Sequence, residues 1–267
     1  MISNWIDLKD KVIIVTGGSM GIGSRIAENL IVNGARVVIA DLASTDKFVN
    51  NDNVLFVECN VTKKADVEKM VNVVVEKYGK IDGLVNNAGV NRARLLVDYY
   101  NGDKRHELSE EDFDFMVNVN QKGVFLCTQA VARVMIPQRN GVIINISSEA
   151  GMEGSKGQSV YSATKGAVNS FTLSWAKELG QFNIRVVGVA PGINEPTPMG
   201  NLKHVEDLAY TRGIKASNVS GDYAKVIPLG RVGKLDEIAD LVSYLNSEHS
   251  SYITGTIMNI TGGKSRG

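Results

Sequence analysis

An apolar, β-branched run, Lys11-Val12-Ile13-Ile14-Val15, breaks into Thr16-Gly17-Gly18-Ser19-Met20-Gly21-Ile22-Gly23, and an amphipathic segment then runs from Ser24 to Val32 and stops at Asn33-Gly34. No other feature constrains the fold as much. A short continuous apolar run is the pattern of a parallel strand buried on both faces. Asn-Gly after the last periodic residue ends a helix. A further run, Arg36–Ala40, completes a strand, glycine turn, helix, strand unit. Glycines let a backbone approach a pyrophosphate closely, and a helix N-terminus offers unpaired N–H groups at its positive dipole end. Gly17, Ser19, Met20, Gly21, Ile22 and Gly23 are therefore the expected phosphate cradle of a dinucleotide.

The alternation continues to the end of the chain. Strand patterns at Val54–Val57, Gly83–Asn86, Val142–Ile146, Val186–Val189 and Ile257–Ile260 are separated by helical patterns at Lys64–Tyr78, Glu110–Met135 (interrupted near Asn120), Ser159–Gly180 and Leu235–Leu245. Repeated βα units specify an α/β fold: a Rossmann-type, doubly wound parallel sheet of about seven strands with helices on both faces. Nothing reads as a linker, so residues 1–267 are expected to form a single domain. Asp98–Leu108, polar and rich in turn residues, reads as a surface insertion.

Asp41 ends the second strand, where a carboxylate accepts hydrogen bonds from an adenosine ribose and repels a 2′-phosphate. Leu42, Ala43 and Ser44 follow without an arginine, and Arg25 is the one basic residue near enough to oppose this reading. The expected cofactor is NAD rather than NADP.

Tyr161 and Lys165 lie four residues apart in a helical pattern and so share a face. A lysine ammonium beside a phenol favours phenolate, drawing its pKa down from about 10 towards the range of a general base. Ser148, thirteen residues before Tyr161, follows a strand and is placed to hold the oxygen being oxidised. Ser147 and Asn118 are neighbouring alternatives to Ser148 and Asn120.

Thr16–Gly23, Asn86-Asn87-Ala88-Gly89, Asn120 in Val119-Asn120-Gln121-Lys122-Gly123, Ser148, Tyr161/Lys165 and Pro191-Gly192 occur in the order found in short-chain dehydrogenase/reductases, which the chain resembles over nearly its whole length. The resemblance implies that Asn120, Ser148, Tyr161 and Lys165 are catalytic, with Asn120 holding a water in a proton path. It also implies cofactor contacts from Asn60 and Val61 to adenine, from Asn87, Ala88 and Gly89, and from Tyr161, Lys165, Pro191, Gly192 and Ile193. Thr197 stands six residues beyond Pro191, where the family often has a threonine five beyond, so its cofactor contact depends on a longer turn. Family likeness further suggests a homotetramer, with apolar Phe125, Val131, Val168 and Phe171 on the packing faces.

Glu149–Ser155, Ser174–Gly180, Tyr210–Gly213 and Gly262–Gly267 are similar to the members of the family that act on sugar-alcohol phosphates. That likeness implies oxidation of D-sorbitol 6-phosphate to D-fructose 6-phosphate. Arg94, Lys156 and Arg212 are the candidate phosphate cations, since a phosphate calls for such a partner. Glu149, Glu153 and Gln158 are polar groups able to bond polyol hydroxyls. An unphosphorylated polyol dehydrogenase, a 3-oxoacyl-carrier-protein reductase and a non-catalytic NAD-binding sensor are the competing expectations.

The 29 basic and 29 acidic residues balance, which gives no electrostatic footing for nucleic acid or a membrane surface. No apolar stretch approaches the ~20 residues of a spanning helix. Met1-Ile2-Ser3-Asn4-Trp5 lacks the basic and apolar regions of a signal peptide. Cys59 and Cys127, each in an apolar segment, read as reduced buried thiols of a cytoplasmic protein, and metal-ligand spacing is absent.

Overall fold

The computed structural model describes residues 5–100, 104–200, 202–219 and 225–265. Residues 1–4, the middle of the expected insertion (101–103), and Arg266-Gly267 lie outside them. The chain forms β1 (Val12–Thr16), α1 (Gly21–Val32), β2 (Arg36–Asp41), β3 (Val54–Glu58), α2 (Lys64–Tyr78), β4 (Gly83–Asn86), α3 (Glu110–Val117), α4 (Gly123–Gln138), β5 (Gly141–Ile146), α5 (Ala150–Glu153), α6 (Ser159–Leu179), β6 (Ile184–Pro191), α7 (Leu202–Arg212), α8 (Leu235–Asn246) and β7 (Ile257–Ile260). One π-type turn, Asn118–Lys122, interrupts the path from α3 to α4 at the expected place.

All seven strands are parallel, in the order β3-β2-β1-β4-β5-β6-β7. The order reverses between β1 and β4, where ligands bind at the carboxyl ends of such sheets. Side chains alternate between two cores. Val12 and Ile14 of β1 face the layer that α2, α4 and α6 cover, with Met70, Leu126 and Ala176. Ile13 and Val15 face the opposite layer, with Ile26 and Leu30 of α1 and Val242 of α8. Burial on both faces, worth about 1.5–3 kcal/mol for each Val or Ile, explains why β1 is apolar up to Thr16.

The short helix α5, α7 and the expected insertion all depart from the sequence reading. α7 has only three buried residues, Leu208, Ala209 and Thr211, too few for a clear apolar stripe. The Asp98–Leu108 segment is more than a surface excursion. Asp98 is buried, it accepts from the Tyr210 hydroxyl at 3.0 Å, and His106 stacks on the Tyr210 ring at 3.8 Å. Both thiols are buried, and burial pushes Cys59 up to about 11 and Cys127 higher still. Among the described residues, no helix is long and apolar enough to cross a membrane.

Candidate active site

The glycine turn closes against the end of β4. Gly17 has φ +63°, and a Cβ there would lie 2.9 Å from Ala88 Cα. A Cβ on Gly23 would lie 2.1 Å from the Gly17 carbonyl oxygen, so neither position admits a side chain. Asn87 donates from its side-chain amide to the Thr16 and Gly17 carbonyls, both at 3.0 Å. The Asn87 and Ala88 N–H groups donate to Thr16 Oγ1 at 3.0 and 3.1 Å. α1 begins after Met20 with no side-chain cap and no carboxylate in its first turn. Its N-terminal N–H groups and dipole thus suit an anion, and the residues present fit a dinucleotide.

Asp41 sits at the end of β2 beside this turn. Its carboxylate accepts from the Ser19 N–H at 2.9 Å and the Leu42 N–H at 2.7 Å, which leaves acceptor capacity for a ribose. Ser19 turns its own hydroxyl away, to the Ala43 carbonyl at 2.6 Å. Arg25 pairs with Glu28 at 2.9 Å and Asp236 at 2.7 Å, away from Asp41. Asn60, expected to contact adenine, has its side-chain carbonyl engaged locally. That oxygen already accepts from the Thr62 N–H at 3.0 Å and hydroxyl at 2.8 Å, in a local turn. Val61 is buried, close to Gly123. Thr197 packs near Gly21: a Cβ on that glycine would lie 3.5 Å from Thr197 Cβ. The loop after β6 therefore reaches the glycine turn despite its extra length. Ile193 is anchored there by its carbonyl, which accepts from Gly233 N–H at 2.9 Å.

Ser148, Tyr161, Lys165 and Asn120 converge at the ends of β4 and β5. Asn120 is fully buried whereas Asn118 is exposed. Its amide donates to the Val90 carbonyl at 2.8 Å and Thr164 Oγ1 at 3.2 Å, and its Oδ1 accepts from the Val90 N–H at 2.8 Å. Both amide hydrogens are thus occupied, and the side chain pins the loop after β4 to α6. A Cβ on Gly89 would lie in ordinary contact with Asn120 Oδ1 at 3.4 Å and Lys165 Nζ at 3.6 Å, which places this glycine where the two side chains meet. Ser147 is buried and donates to the Lys165 carbonyl at 3.2 Å, while Ser148 stays half-buried beside Tyr161.

The expected effect of Lys165 on the phenol is corrected. Lys165 is buried and donates to the Ile146 carbonyl at 2.7 Å, with its ammonium 5.8 Å from the Tyr161 ring centroid. Burial lowers the lysine to about 8. Burial also pushes the Tyr161 phenol above its ordinary range; the Ser148 hydroxyl pulls it down and the Glu149 carboxylate pushes it up.

The candidate phosphate cations separate. Arg94 contacts Asp112 at 3.4 Å and Asp207 at 2.8 Å, so two carboxylates neutralise it and tie the loop after β4 to α3 and α7. Lys156 is exposed and donates to the Tyr100 hydroxyl at 3.2 Å. Arg212, at the end of α7, makes no hydrogen bond or ion pair among the described residues. Glu149 Oε1 pairs with Lys264 at 2.7 Å, a cation that the sequence reading did not single out because 115 residues separate the two.

The chain belongs to the short chain dehydrogenase family, which it matches over residues 11–206. It is an oxidoreductase of CH–OH groups that works with a nicotinamide cofactor. It is 52% identical over 266 residues to the sorbitol-6-phosphate 2-dehydrogenase of Klebsiella pneumoniae, covering 99% of this chain and 100% of that one. A 3-oxoacyl-[acyl-carrier-protein] reductase of Thermotoga maritima is 40% identical over 265 residues, covering 96% of this chain and 98% of the relative. Among solved structures, a 3-ketoacyl-(acyl-carrier-protein) reductase from Brucella melitensis complexed with NADH is similar, with a TM-score of 0.80 and 31% identity over 97% of this chain and 100% of that one.

Proposed function

We propose that the chain oxidises C2 of D-sorbitol 6-phosphate to give D-fructose 6-phosphate, with NAD as acceptor, in the cytoplasm. The observation that carries this reading is the 52% identity, end to end, with the Klebsiella sorbitol-6-phosphate 2-dehydrogenase. The bound cofactor supplies the hydride acceptor. Tyr161 removes the proton of the C2 hydroxyl as general base, and Ser148 orients that oxygen and stabilises charge on it. Lys165 gives one of its three N–H donors to Ile146, which leaves two for the ribose next to the nicotinamide. Asn120 fixes the loop that carries Gly89 and so keeps that ribose in register.

Arg212 and Lys156 are the cations proposed for the phosphate, because Arg94 already has two carboxylate partners. Reduction of a 3-oxoacyl thioester is the second reading, supported by 40% identity to the Thermotoga reductase. The charged rim of Glu149, Glu153 and Lys264 favours the polyol. We also propose a homotetramer.

A panel of sorbitol 6-phosphate, sorbitol and an acetoacetyl thioester, each with both cofactors, tests the assignment. A charge-assisted phosphate contact worth roughly 1.5–3 kcal/mol predicts about a ten- to hundredfold higher kcat/KM for the phosphate ester than for sorbitol. Equal efficiency on sorbitol and its 6-phosphate removes the phosphate reading. A preference for the thioester selects the alternative, and cofactor binding without turnover revives a sensor.

A further inference from the structure

Beyond the end of β7 the chain folds back towards the catalytic residues. Gly262 and Gly263 both have left-handed backbones, φ +63° and +88°. A Cβ on Gly262 would lie 2.7 Å from Ile227 Cγ2, and one on Gly263 would lie 3.1 Å from Pro228 Cγ, so the turn depends on glycine at both places. The Leu229 N–H donates to the Gly262 carbonyl at 3.1 Å, and the Lys264 N–H to the Thr261 carbonyl at 3.3 Å. This braced turn delivers the Lys264 ammonium to Glu149 Oε1 at 2.7 Å, with Glu153 at 3.9 Å.

Glu149 directly follows Ser148, and its N–H is fixed to the Pro191 carbonyl at 3.0 Å. Its other oxygen, Oε2, is buried without a hydrogen-bond partner. A Cβ on Gly192 would come within 3.0 Å of that oxygen. A carboxylate half satisfied and next to the catalytic serine is costly unless a cation compensates it. Its charge also acts on Tyr161, against ionisation of the phenol.

We propose that Lys264 is a positioning residue for proton transfer: it clamps Glu149 beneath Gly192 and offsets its charge, so that Tyr161 can serve as base. The inference rests on Tyr161 being that base. In this role Lys264 acts through Glu149, not on the reacting atoms. The other groups beside Tyr161 are the Ser148 hydroxyl and Lys165, which is held by Ile146. Asn120, from the π-type turn, contacts α6 through Thr164. On the α3 side Asp112 is paired with Arg92 and Arg94. Lys264 is therefore the cation that compensates the carboxylate acting on the phenol.

The test is the pH profile of kcat/KM for alcohol oxidation in the parent, Lys264→Met, Glu149→Gln and the double variant. Oxidation requires the phenolate, so the rate rises with pH through the Tyr161 pKa. Lys264→Met should move the acid limb up by roughly one pH unit, Glu149→Gln should move it down, and the double variant should behave as Glu149→Gln does. Lys264→Arg should restore the parent profile and so serves as a folding control. An unmoved limb in Lys264→Met, with activity lowered uniformly across pH, overturns the proposal, as does additivity in the double variant. Should Lys264→Met not fold, an unmoved limb in Glu149→Gln overturns it equally. Retention of full turnover by Tyr161→Phe would instead remove the underlying reading of the base.

Discussion

The Lys165 ammonium donates to the Ile146 carbonyl at 2.7 Å, not to the Tyr161 phenol that shares its helix face. Burial brings this lysine from 10.5 to about 8. Below about pH 8 it is charged in both folded and unfolded chains, and the full cost of burying the charge is felt. Between about 8 and 10.5 the unfolded chain binds more protons than the folded one, so this residue's contribution to stability improves as pH rises. Lys165→Met should abolish turnover yet stabilise the cofactor-free protein at pH 7 by on the order of 1–3 kcal/mol, seen as a higher melting temperature. The gain should shrink towards pH 10. Thermal melts of both proteins without cofactor check this, and a lower melting temperature for the variant at pH 7 contradicts it.

Asp41 braces the glycine turn through the Ser19 N–H, and Arg25 is committed to Glu28 and Asp236. A 2′-phosphate placed there would meet the Asp41 carboxylate, with Arg25 held by other partners. Asp41→Ala combined with Leu42→Arg should move the kcat/KM ratio towards NADP, while loss of the brace lowers efficiency with both cofactors. Steady-state kinetics on the parent decide first: a parent that already prefers NADP refutes this reading of the strand end.

Arg94 and Arg212 should respond differently to truncation. Arg94→Ala leaves Asp207 without its guanidinium partner, and Asp112 keeps only Arg92. A loss of roughly 2–4 kcal/mol in stability should follow, visible as a lower denaturation midpoint. Arg212→Met should leave the midpoint almost unchanged and erode the preference for sorbitol 6-phosphate over sorbitol about tenfold or more. Selective loss of the phosphorylated substrate in Arg94→Ala, without destabilisation, would reverse the assignment.

Val131 and Val168, expected on a packing face, are fully buried within the subunit. Phe125 remains 39% exposed, Phe113 47% and Leu173 43%, and these carry the proposed assembly surface instead. Sedimentation at micromolar concentration should give a tetramer mass, and Phe125→Glu with Leu173→Glu should reduce it. A monomer for the parent chain rules the assembly out.

The alternation of strands and helices was legible because parallel strands buried on both faces leave unbroken apolar runs. α7 was not, since it buries only Leu208, Ala209 and Thr211. Periodicity on α4 and α6 marks apolar faces but does not distinguish a core valine such as Val131 from an exposed phenylalanine such as Phe125. The pairs Arg94–Asp207 and Glu149–Lys264 join residues 113 and 115 positions apart, beyond any local pattern. Asn120 was separable from Asn118 by motif spacing, and burial supports the same choice.

The sheet also has a consequence for how the chain reaches its native state. All seven strands are parallel, so none meets its neighbour through a hairpin. β1 pairs with β4 across the whole stretch of chain that carries β2 and β3. Contacts so distant in sequence demand loop closure before they give any stabilisation, which slows folding and leaves apolar strands open to other chains. Recovery from denaturant should therefore depend on protein concentration during refolding far more than on the stability of the final structure.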